Sequence, residues 1–276
     1  MAYPIVDAPY GFKPVNLLGG QVFSGSTREY PIAYNYGTSI FYGDPVTLAS
    51  GFVNIATAPI NTTNTTVGIF LGCSYTNPAT KQKLFSQYYP ANTLAGDIKA
   101  IVCDDPDTVF KMAVVTAAGV TTIGSMSQLM VGVNAAGSTT TGSAATGNSS
   151  QGVVGNTATV ANAGWRILQL VPESQISTAA TYVSGTGTST LTVSGLTVGQ
   201  VLPIGTDVWQ LVSGTNQLQF TGSSLTAAAT VTTTGNTTLT VTASAVTPAA
   251  SASLVLIQSP EVLAKINFNV HRYYIA

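Results

Sequence analysis

Short runs in which apolar residues occupy every second position recur along this chain, and they constrain its fold more than any other feature. One such run extends from Val262 to Val270, and turn-forming residues separate many of the others. A two-residue period is typical of a half-buried β-strand, and closely spaced strands are typical of a sandwich or barrel. The sustained 3.6-residue period of a helix is missing, although residues 123–131 could form one short helix. We therefore predict an all-β protein whose core is a β-barrel, a β-tulip-like fold or a sandwich.

Individual strands can be placed from this pattern. Residues 45–48 and 52–55 flank a short turn that contains glycine, and they predict a hairpin. Residues 30–36 predict another strand, and Pro31 limits it to a sheet edge or a strand start because proline lacks a backbone N–H. The strand that begins at Val262 is expected to pair with strands from the first part of the chain. Further strands are predicted at residues 67–71, 84–89, 98–103, 109–115 and 165–171.

The first 28 residues predict an extended amino-terminal arm. Three prolines and four glycines interrupt regular strand pairing in this segment. It is nevertheless rich in large apolar side chains, which must be buried on the same domain or on a neighbouring subunit. Because aromatic and large apolar anchors dominate protein interfaces, six of these residues are predicted to contact another subunit. They are Tyr3, Tyr10, Phe12, Leu17, Leu18 and Phe23.

Composition divides the rest of the chain into a core domain and an insertion. Residues 1–111 hold thirteen of the nineteen charged residues, whereas the remainder is rich in Thr, Ser, Gly, Ala and Val. We predict a β-rich core domain at 29–175 and 259–276, in which the low-complexity residues 134–162 form a long surface loop or linker. Residues 176–258 are predicted to form an inserted Thr-, Ser- and Gly-rich β-sandwich domain whose two ends lie close together.

Two segments of the predicted insertion are near-copies of one another. Residues 189–193 read STLTV and residues 237–241 read TTLTV. Both alternate Thr with Leu and Val, which suits a pleated strand. The similarity indicates either an internal repeat or a chance likeness between Thr-rich strands.

The charge content is unusually low for a soluble domain. Only 7% of the residues are Asp, Glu, Lys or Arg, and the formal net charge is −1, whereas ordinary soluble domains contain roughly 25% charged residues. Such a surface favours association with other subunits and argues against nucleic acid as a partner, because phosphate binding needs a basic surface. No apolar run approaches the ~20 residues of a membrane span. The first seven residues lack a secretory-signal pattern, so we expect the protein to form in a cytoplasm.

Residues that carry most enzyme chemistry are scarce. The chain contains neither a Gly-x-Ser-x-Gly nucleophile motif nor a Gly-x-x-x-x-Gly-Lys phosphate loop. The single histidine, His271, has no acidic neighbour in sequence, so we expect a structural or interface role. Together with Cys73 and Cys103 it makes too few ligands for a tetrahedral zinc site, and both cysteines are expected to be buried and reduced. We predict no catalytic residue, no cofactor and no metal.

One acidic cluster stands out between two predicted strands. Asp104, Asp105 and Asp107 lie within four residues, together with Pro106. Carboxylates are the ligands that calcium prefers, but this spacing does not match an EF-hand loop. Asp and Pro are also common turn formers. We expect a turn here and keep calcium binding as the alternative.

Parts of the sequence resemble a group of virion proteins from short-tailed phages, including cyanophages and other marine phages. The similar segments are residues 8–20 (APYGFKPVNLLGG), 30–33 (YPIA), 40–46 (IFYGDPV), 68–72 (GIFLG), 81–89 (KQKLFSQYY), 104–106 (DDP), 262–267 (VLAKIN) and 271–273 (HRY). The resemblance covers most of residues 8–131, together with 164–173 and 260–274. Residues 176–258 resemble no family.

The resemblance implies a capsid decoration, or cement, protein. Such a protein binds the outer lattice of the major capsid protein, often as a homotrimer, on a virion assembled in the cytoplasm of a bacterial host. Residues 176–258 could then contact a host-surface glycan. Two alternatives remain: another structural part of the virion such as a tail, neck or fibre protein, and a virion-associated glycan hydrolase, which needs two suitably placed carboxylates.

Overall fold

The structure is a computed structural model, and it describes residues 6, 8–126, 128–155, 162–174, 176–183, 189–193, 201–202, 207–212, 217–224, 229–230, 237–241 and 253–273. These residues form strands and three short 3-10 helices, Gln128–Met130, Pro172–Ser174 and Phe268–Val270, with no α-helix among them. The strands are β1 Lys13–Leu17, β2 Arg28–Pro31, β3 Pro45–Ala49, β4 Phe52–Ile55, β5 Gly68–Thr76, β6 Lys83–Ser86, β7 Lys99–Cys103, β8 Thr108–Val115, β9 Asn134–Ala135, β10 Val153–Val154, β11 Trp165–Leu170, β12 Ile176–Val183, β13 Ser189–Val193, β14 Val201–Leu202, β15 Asp207–Val212, β16 Gln217–Ser224, β17 Ala229–Thr230, β18 Thr237–Val241, β19 Ser253–Gln258 and β20 Glu261–Ile266.

Most of these strands belong to three sheets. Sheet A has the order β1-β8-β20-β11-β9, and β10 adds to β8 in parallel. Sheet B has the order β2-β7-β5-β3-β4, and β6 adds to β5. Sheet C has the order β16-β15-β19-β12-β13-β18, while β14 and β17 form a separate pair. The described strands close no barrel, so the predicted all-β class is confirmed with a sandwich-like core and the barrel alternative is wrong.

The core of sheet A is built around Trp165. Phe12 stacks on its ring with the centroids 4.1 Å apart, and Phe110 meets it edge-on at 5.8 Å. Ile69 and Cys103 of sheet B are buried in the same cluster, so this core joins the two sheets. Strand β8, which carries Phe110, lies between β1 and β20 and is buried at nearly every position, with Phe110, Met112 and Val114 in this core. Burial on this scale is the main stabilising contribution to the fold.

A second core lies within sheet B. It contains Val46, Phe70 and Tyr89 among its buried residues. The hairpin of β3 and β4 is closed by Ser50 and Gly51, whose φ angles are 51° and 84°. Positive φ at both central residues is the geometry of a two-residue hairpin turn that matches strand twist, and this confirms the predicted hairpin.

Two further strand predictions hold in part. Strand β2 lies at the edge of sheet B, as Pro31 predicted, but it ends at Pro31, so only residues 30 and 31 of the predicted strand 30–36 belong to it. The last strand, β20, pairs with β8 and β11 from the first part of the chain. It stops at Ile266, however, because the chain then enters a 3-10 helix that leaves Phe268 60% exposed.

The described part of the low-complexity segment, 134–155, is mostly a loop, as predicted, but both of its ends are packed against the domain and do not form a free linker. Strand β10 is buried beside β8, and Ser138, Ser149 and Gln151 are buried as well. Gly152 approaches β8 so closely that a Cβ atom there would lie 2.6 Å from the Ala113 carbonyl oxygen. Small residues allow this approach, so a linker-like composition serves close packing here. Residues 156–161 lie outside the described residues.

The predicted insertion starts and ends in adjacent strands. Ile176 of β12 pairs with Gln258 of β19, so the two ends lie side by side as expected. The near-copies form β13 and β18, which pair antiparallel with Leu191 opposite Leu239. The predicted glycan contact of residues 176–258 depends on side chains outside the described part of the structure.

Candidate interaction surface

Phe12 is one of six residues predicted to contact another subunit, and the structure corrects its role. Its side chain has no exposed surface, because it is stacked on Trp165 in the core of sheet A. The backbone N–H of Phe12 also donates to the Gly43 carbonyl at 3.1 Å. Phe12 therefore anchors the amino-terminal segment to its own domain. Of the other predicted contacts, Tyr3 lies outside the described residues.

Tyr10 is half-buried and has polar partners within the chain. Its hydroxyl donates to the Glu261 carboxylate, which also forms an ion pair with Lys111 at 3.0 Å. Lys13 places its Nζ atom 4.4 Å from the centroid of the Tyr10 ring. Burial, followed by the bond to Glu261, raises the pKa of Tyr10 well above its ordinary value. Tyr10 thus ties the segment to β20, where the insertion returns to the core.

The backbone between Tyr10 and Phe12 passes very close to two other segments. Gly11 has a φ angle of 82°, and a Cβ atom there would lie 2.7 Å from the Ser149 Cβ. Its N–H donates to the Gln151 carbonyl at 3.0 Å. Only glycine combines this backbone conformation with so close an approach.

The buried carboxylate of Asp44 holds together the two segments that bond to Gly11 and Phe12. Asp44 has no exposed surface, and it accepts hydrogen bonds from the Phe41 N–H at 2.8 Å and the Gln151 side-chain amide at 3.2 Å. Burial raises the pKa of Asp44 to about 6, although these hydrogen bonds and one from Ser149 act in the opposite direction. Asp44 thus connects two segments that hold the amino-terminal residues. One contains Gly43, which bonds to Phe12, and the other contains Gln151, which bonds to Gly11.

Residues 13–23 form a hairpin on the edge of sheet A, which corrects the prediction that they belong to an extended arm. Strand β1 pairs with β8, and Val15 is the extra residue of a β-bulge. The chain then turns through Gly19 and Gly20, and Leu17 donates its N–H to the Gln21 carbonyl at 2.8 Å. Val22 returns beside Asn16 in an antiparallel bridge. The outer edge of β1 is thus partly covered by its own returning chain.

Three apolar side chains of this hairpin face solvent. Val15, Leu18 and Val22 are 45%, 49% and 80% exposed, and we call them the hairpin patch. Leu17 is half-buried, and Phe23 packs against the core of sheet A while remaining partly exposed. Leu18 was predicted as a contact from the sequence, but Val15 and Val22 were missed. The bulge that exposes Val15 and the bridge that positions Val22 depend on pairing with residues far away in sequence.

The acidic cluster forms the turn between β7 and β8, as predicted. Thr108 donates its N–H to the Asp105 carbonyl at 3.1 Å, and Asp107 donates its own to the Asp105 side chain at 2.9 Å. Asp104 is buried, where it forms an ion pair with Arg28 at 3.2 Å and accepts a hydrogen bond from Tyr30 at 2.7 Å. Its carboxylate is therefore engaged in holding sheet B together.

His271 is buried beside this turn. Burial lowers its pKa, while Asp104 acts in the opposite direction. Its backbone bridges to Thr66, and Tyr273 next to it donates its hydroxyl to Asp104. These contacts fasten the chain after β20 to sheet B, which agrees with a structural role for this histidine.

Within the described part of the chain, no three His, Cys, Asp or Glu side chains lie together in a way that could hold a metal ion. Cys73 and Cys103 are buried and free of a disulfide, as predicted. No helix among the described residues is long and apolar enough to cross a membrane. In comparisons with known proteins, no family model, no curated protein and no solved structure matches this chain.

Proposed function

We propose that this chain is a non-enzymatic virion structural protein that decorates a phage capsid by binding the outer surface of the major capsid protein lattice. The observation that carries the proposal is the hairpin patch, in which Val15, Leu18 and Val22 face solvent on an edge hairpin whose preceding residue Phe12 is buried in the core. Backbone pairing with β8 and the Asn16–Val22 bridge preorganise this apolar surface, and a preorganised surface loses little conformational entropy when it binds.

The low charge supports the same conclusion. A surface with 7% charged residues and a net charge of −1 gives little repulsion between copies or against a partner. Such a composition suits a subunit that is covered in an assembly. The resemblance of residues 8–20 to virion proteins of short-tailed phages supports the assignment of that assembly to the capsid.

Affinity in this scheme comes from many weak contacts. Each 100 Å² of buried apolar surface contributes roughly 2.5 kcal/mol in transfer free energy, and association costs several kcal/mol. One hairpin patch therefore binds weakly by itself. A homotrimer would present three patches to one lattice, and the second and third contacts would then form at high effective concentration.

Localisation on virions tests the proposal. Virions of the phage whose genome encodes this chain are imaged by cryo-electron microscopy after labelling with an antibody fragment against the chain. We expect the label at or around the three-fold positions of the lattice, repeated over the whole outer surface of the capsid. Label confined to the tail or neck would replace capsid decoration with a tail or neck role, and unlabelled virions would refute a structural role in the virion.

A further inference from the structure

A polar pocket lies on sheet B, where the described residues before β5 meet the chain after β20. It has a volume of about 230 Å³, and its polar lining consists of Thr47, Thr57, Thr63, Asn64, Thr65 and Arg272. This volume is below the ~300–1,000 Å³ of pockets for drug-sized ligands. The pocket therefore suits a group about the size of one sugar ring.

The walls of this pocket are fixed by hydrogen bonds. Asn61 accepts from the N–H groups of Thr63 and Asn64, both at 2.8 Å, so the loop turns tightly. Thr66 is buried beneath it and donates its hydroxyl to the Val46 carbonyl at 2.7 Å. The Thr66 carbonyl in turn accepts a hydrogen bond from the backbone N–H of Arg272 at 2.9 Å. The pocket is thus formed before any ligand binds.

Arg272 differs from Arg28 of β2 in its electrostatic surroundings. Arg28 has a carboxylate partner in Asp104, whereas no carboxylate of the described residues forms an ion pair with Arg272. Its guanidinium donates a long hydrogen bond, 3.5 Å, to the Thr65 hydroxyl. None of the described residues that line the pocket is acidic. The site therefore offers a positive charge to an anionic ligand.

The remaining lining residues narrow the class of ligand. Four threonine hydroxyls and the Asn64 amide can donate and accept hydrogen bonds around the guanidinium. None of the described lining residues is aromatic, so the described lining lacks the stacking surface that holds many neutral sugars. An arginine fork matches a carboxylate with two parallel hydrogen bonds.

We propose that this pocket binds a uronic acid residue, that is, a pyranose ring that carries a carboxylate. Arg272 would hold the carboxylate, while the threonine hydroxyls and Asn64 would hold the ring hydroxyls. The neighbouring pocket of about 250 Å³ shares Thr63 with this one and is lined by Asn61 and Asn162 among others. It could accept the next sugar of an acidic oligosaccharide. This activity goes beyond capsid decoration and uses a surface that contains none of the hairpin patch.

Titration of the full chain with glucuronate, followed by saturation-transfer NMR or calorimetry, tests the proposal. We expect glucuronate to bind at least tenfold more tightly than glucose, which lacks the carboxylate, and than acetate or sulfate, which lack the ring. Arg272→Gln should weaken glucuronate binding at least tenfold. Arg166→Gln, at another exposed arginine, is the matched control and should bind as the unchanged chain does.

Three results would overturn the proposal. These are no glucuronate binding, equal binding of acetate or sulfate, and unchanged binding by Arg272→Gln. If Arg272→Gln fails to fold, Thr57→Val removes one exposed hydroxyl at constant shape and should also weaken glucuronate binding without affecting acetate. Capsid binding by Arg272→Gln should stay normal, so a failure here is distinguishable from a failure of the proposed decoration role.

Discussion

The amino-terminal segment contains two stretches that are both rich in apolar residues, but one is buried in the domain and the other exposes apolar side chains to solvent. Residues 8–12 are built into the domain, where Phe12 lies under Trp165 and Tyr10 bonds to Glu261. Residues 13–23 form an edge hairpin that leaves three apolar side chains in solvent. Apolar composition alone does not distinguish an anchor from a contact surface. The distinction is made by partners that lie at least 91 positions away in sequence.

This difference assigns the two stretches to different tasks. The anchor stretch contributes to the folding free energy, and its variants should change stability. The three exposed side chains of the hairpin patch contribute little to folding, and their variants should change binding.

The largest effect is expected at Phe12. Phe12→Ala removes a fully buried ring from the stack on Trp165 and should lower the free energy of unfolding by about 3–5 kcal/mol. Val22→Ala, at a side chain that is 80% exposed, should change it by less than about 0.5 kcal/mol. Urea unfolding followed by Trp fluorescence measures both. Equal effects of the two variants would contradict the separation.

A smaller effect is expected at Gly11, and the chain offers a matched control. Gly11 and Gly25 have φ angles of 82° and 80°, but a Cβ at Gly25 would meet nothing within 4 Å. Both Gly→Ala variants incur the same backbone strain, whereas Gly11→Ala adds an overlap with Ser149. We expect Gly11→Ala to be less stable than Gly25→Ala by about 1–3 kcal/mol in thermal or urea unfolding. Equal stability would show that residues 8–12 are not held closely against the core.

The contribution of Asp44 to the free energy of unfolding should depend on pH. The pKa of Asp44 is about 6 in the folded chain, above its ordinary value of 3.8. The folded state therefore binds this proton more tightly than the unfolded state. The resulting stability is fully present below about pH 4 and is lost as the pH rises through about 6. The difference should be about 1–3 kcal/mol.

Asp44→Asn isolates this contribution from that of the other acids. The Asn side chain keeps one acceptor for the Phe41 N–H, and Gln151 can rotate its amide to accept from the new NH₂ group. The unfolding free energy of the unchanged chain, relative to that of Asp44→Asn, should therefore fall between pH 4 and pH 6.5. A constant difference over this range would show that Asp44 does not titrate as its burial predicts.

Much of the fold follows from local sequence. Apolar runs between turn residues located β5, β7, β8 and β11, the period of two residues located β20, and Pro31 correctly placed β2 at an edge. These predictions succeed because alternation and proline chemistry act within a few residues. The packed state of residues 134–155 did not follow, because their composition is also that of a free linker. In the structure the Ser138 and Ser149 hydroxyls accept hydrogen bonds from the backbone N–H groups of Gly152 and Gln151, which the composition does not indicate.

The interaction surface was predictable only in part. Leu18 was identified from its size, and it is 49% exposed. Phe12 was assigned to the surface by the same reasoning and is buried, because its partner Trp165 lies 153 positions further along the chain. Val15 owes its exposure to a bulge against β8, which no local pattern indicates. Long-range pairing thus decides which apolar residues remain available to a partner.

Binding of hairpin variants to capsids tests the central claim most directly. Capsids assembled from the major capsid protein of the same genome are mixed with the chain and sedimented, and the bound fraction is measured against concentration. Phe85→Ser is the control, because Phe85 on β6 is as exposed as Val22 at 80%. We expect Leu18→Ser/Val22→Ser to bind about tenfold more weakly or worse, with unfolding unchanged, and Phe85→Ser to bind normally. Normal binding by the hairpin variant would contradict the claim that residues 13–23 form the contact surface.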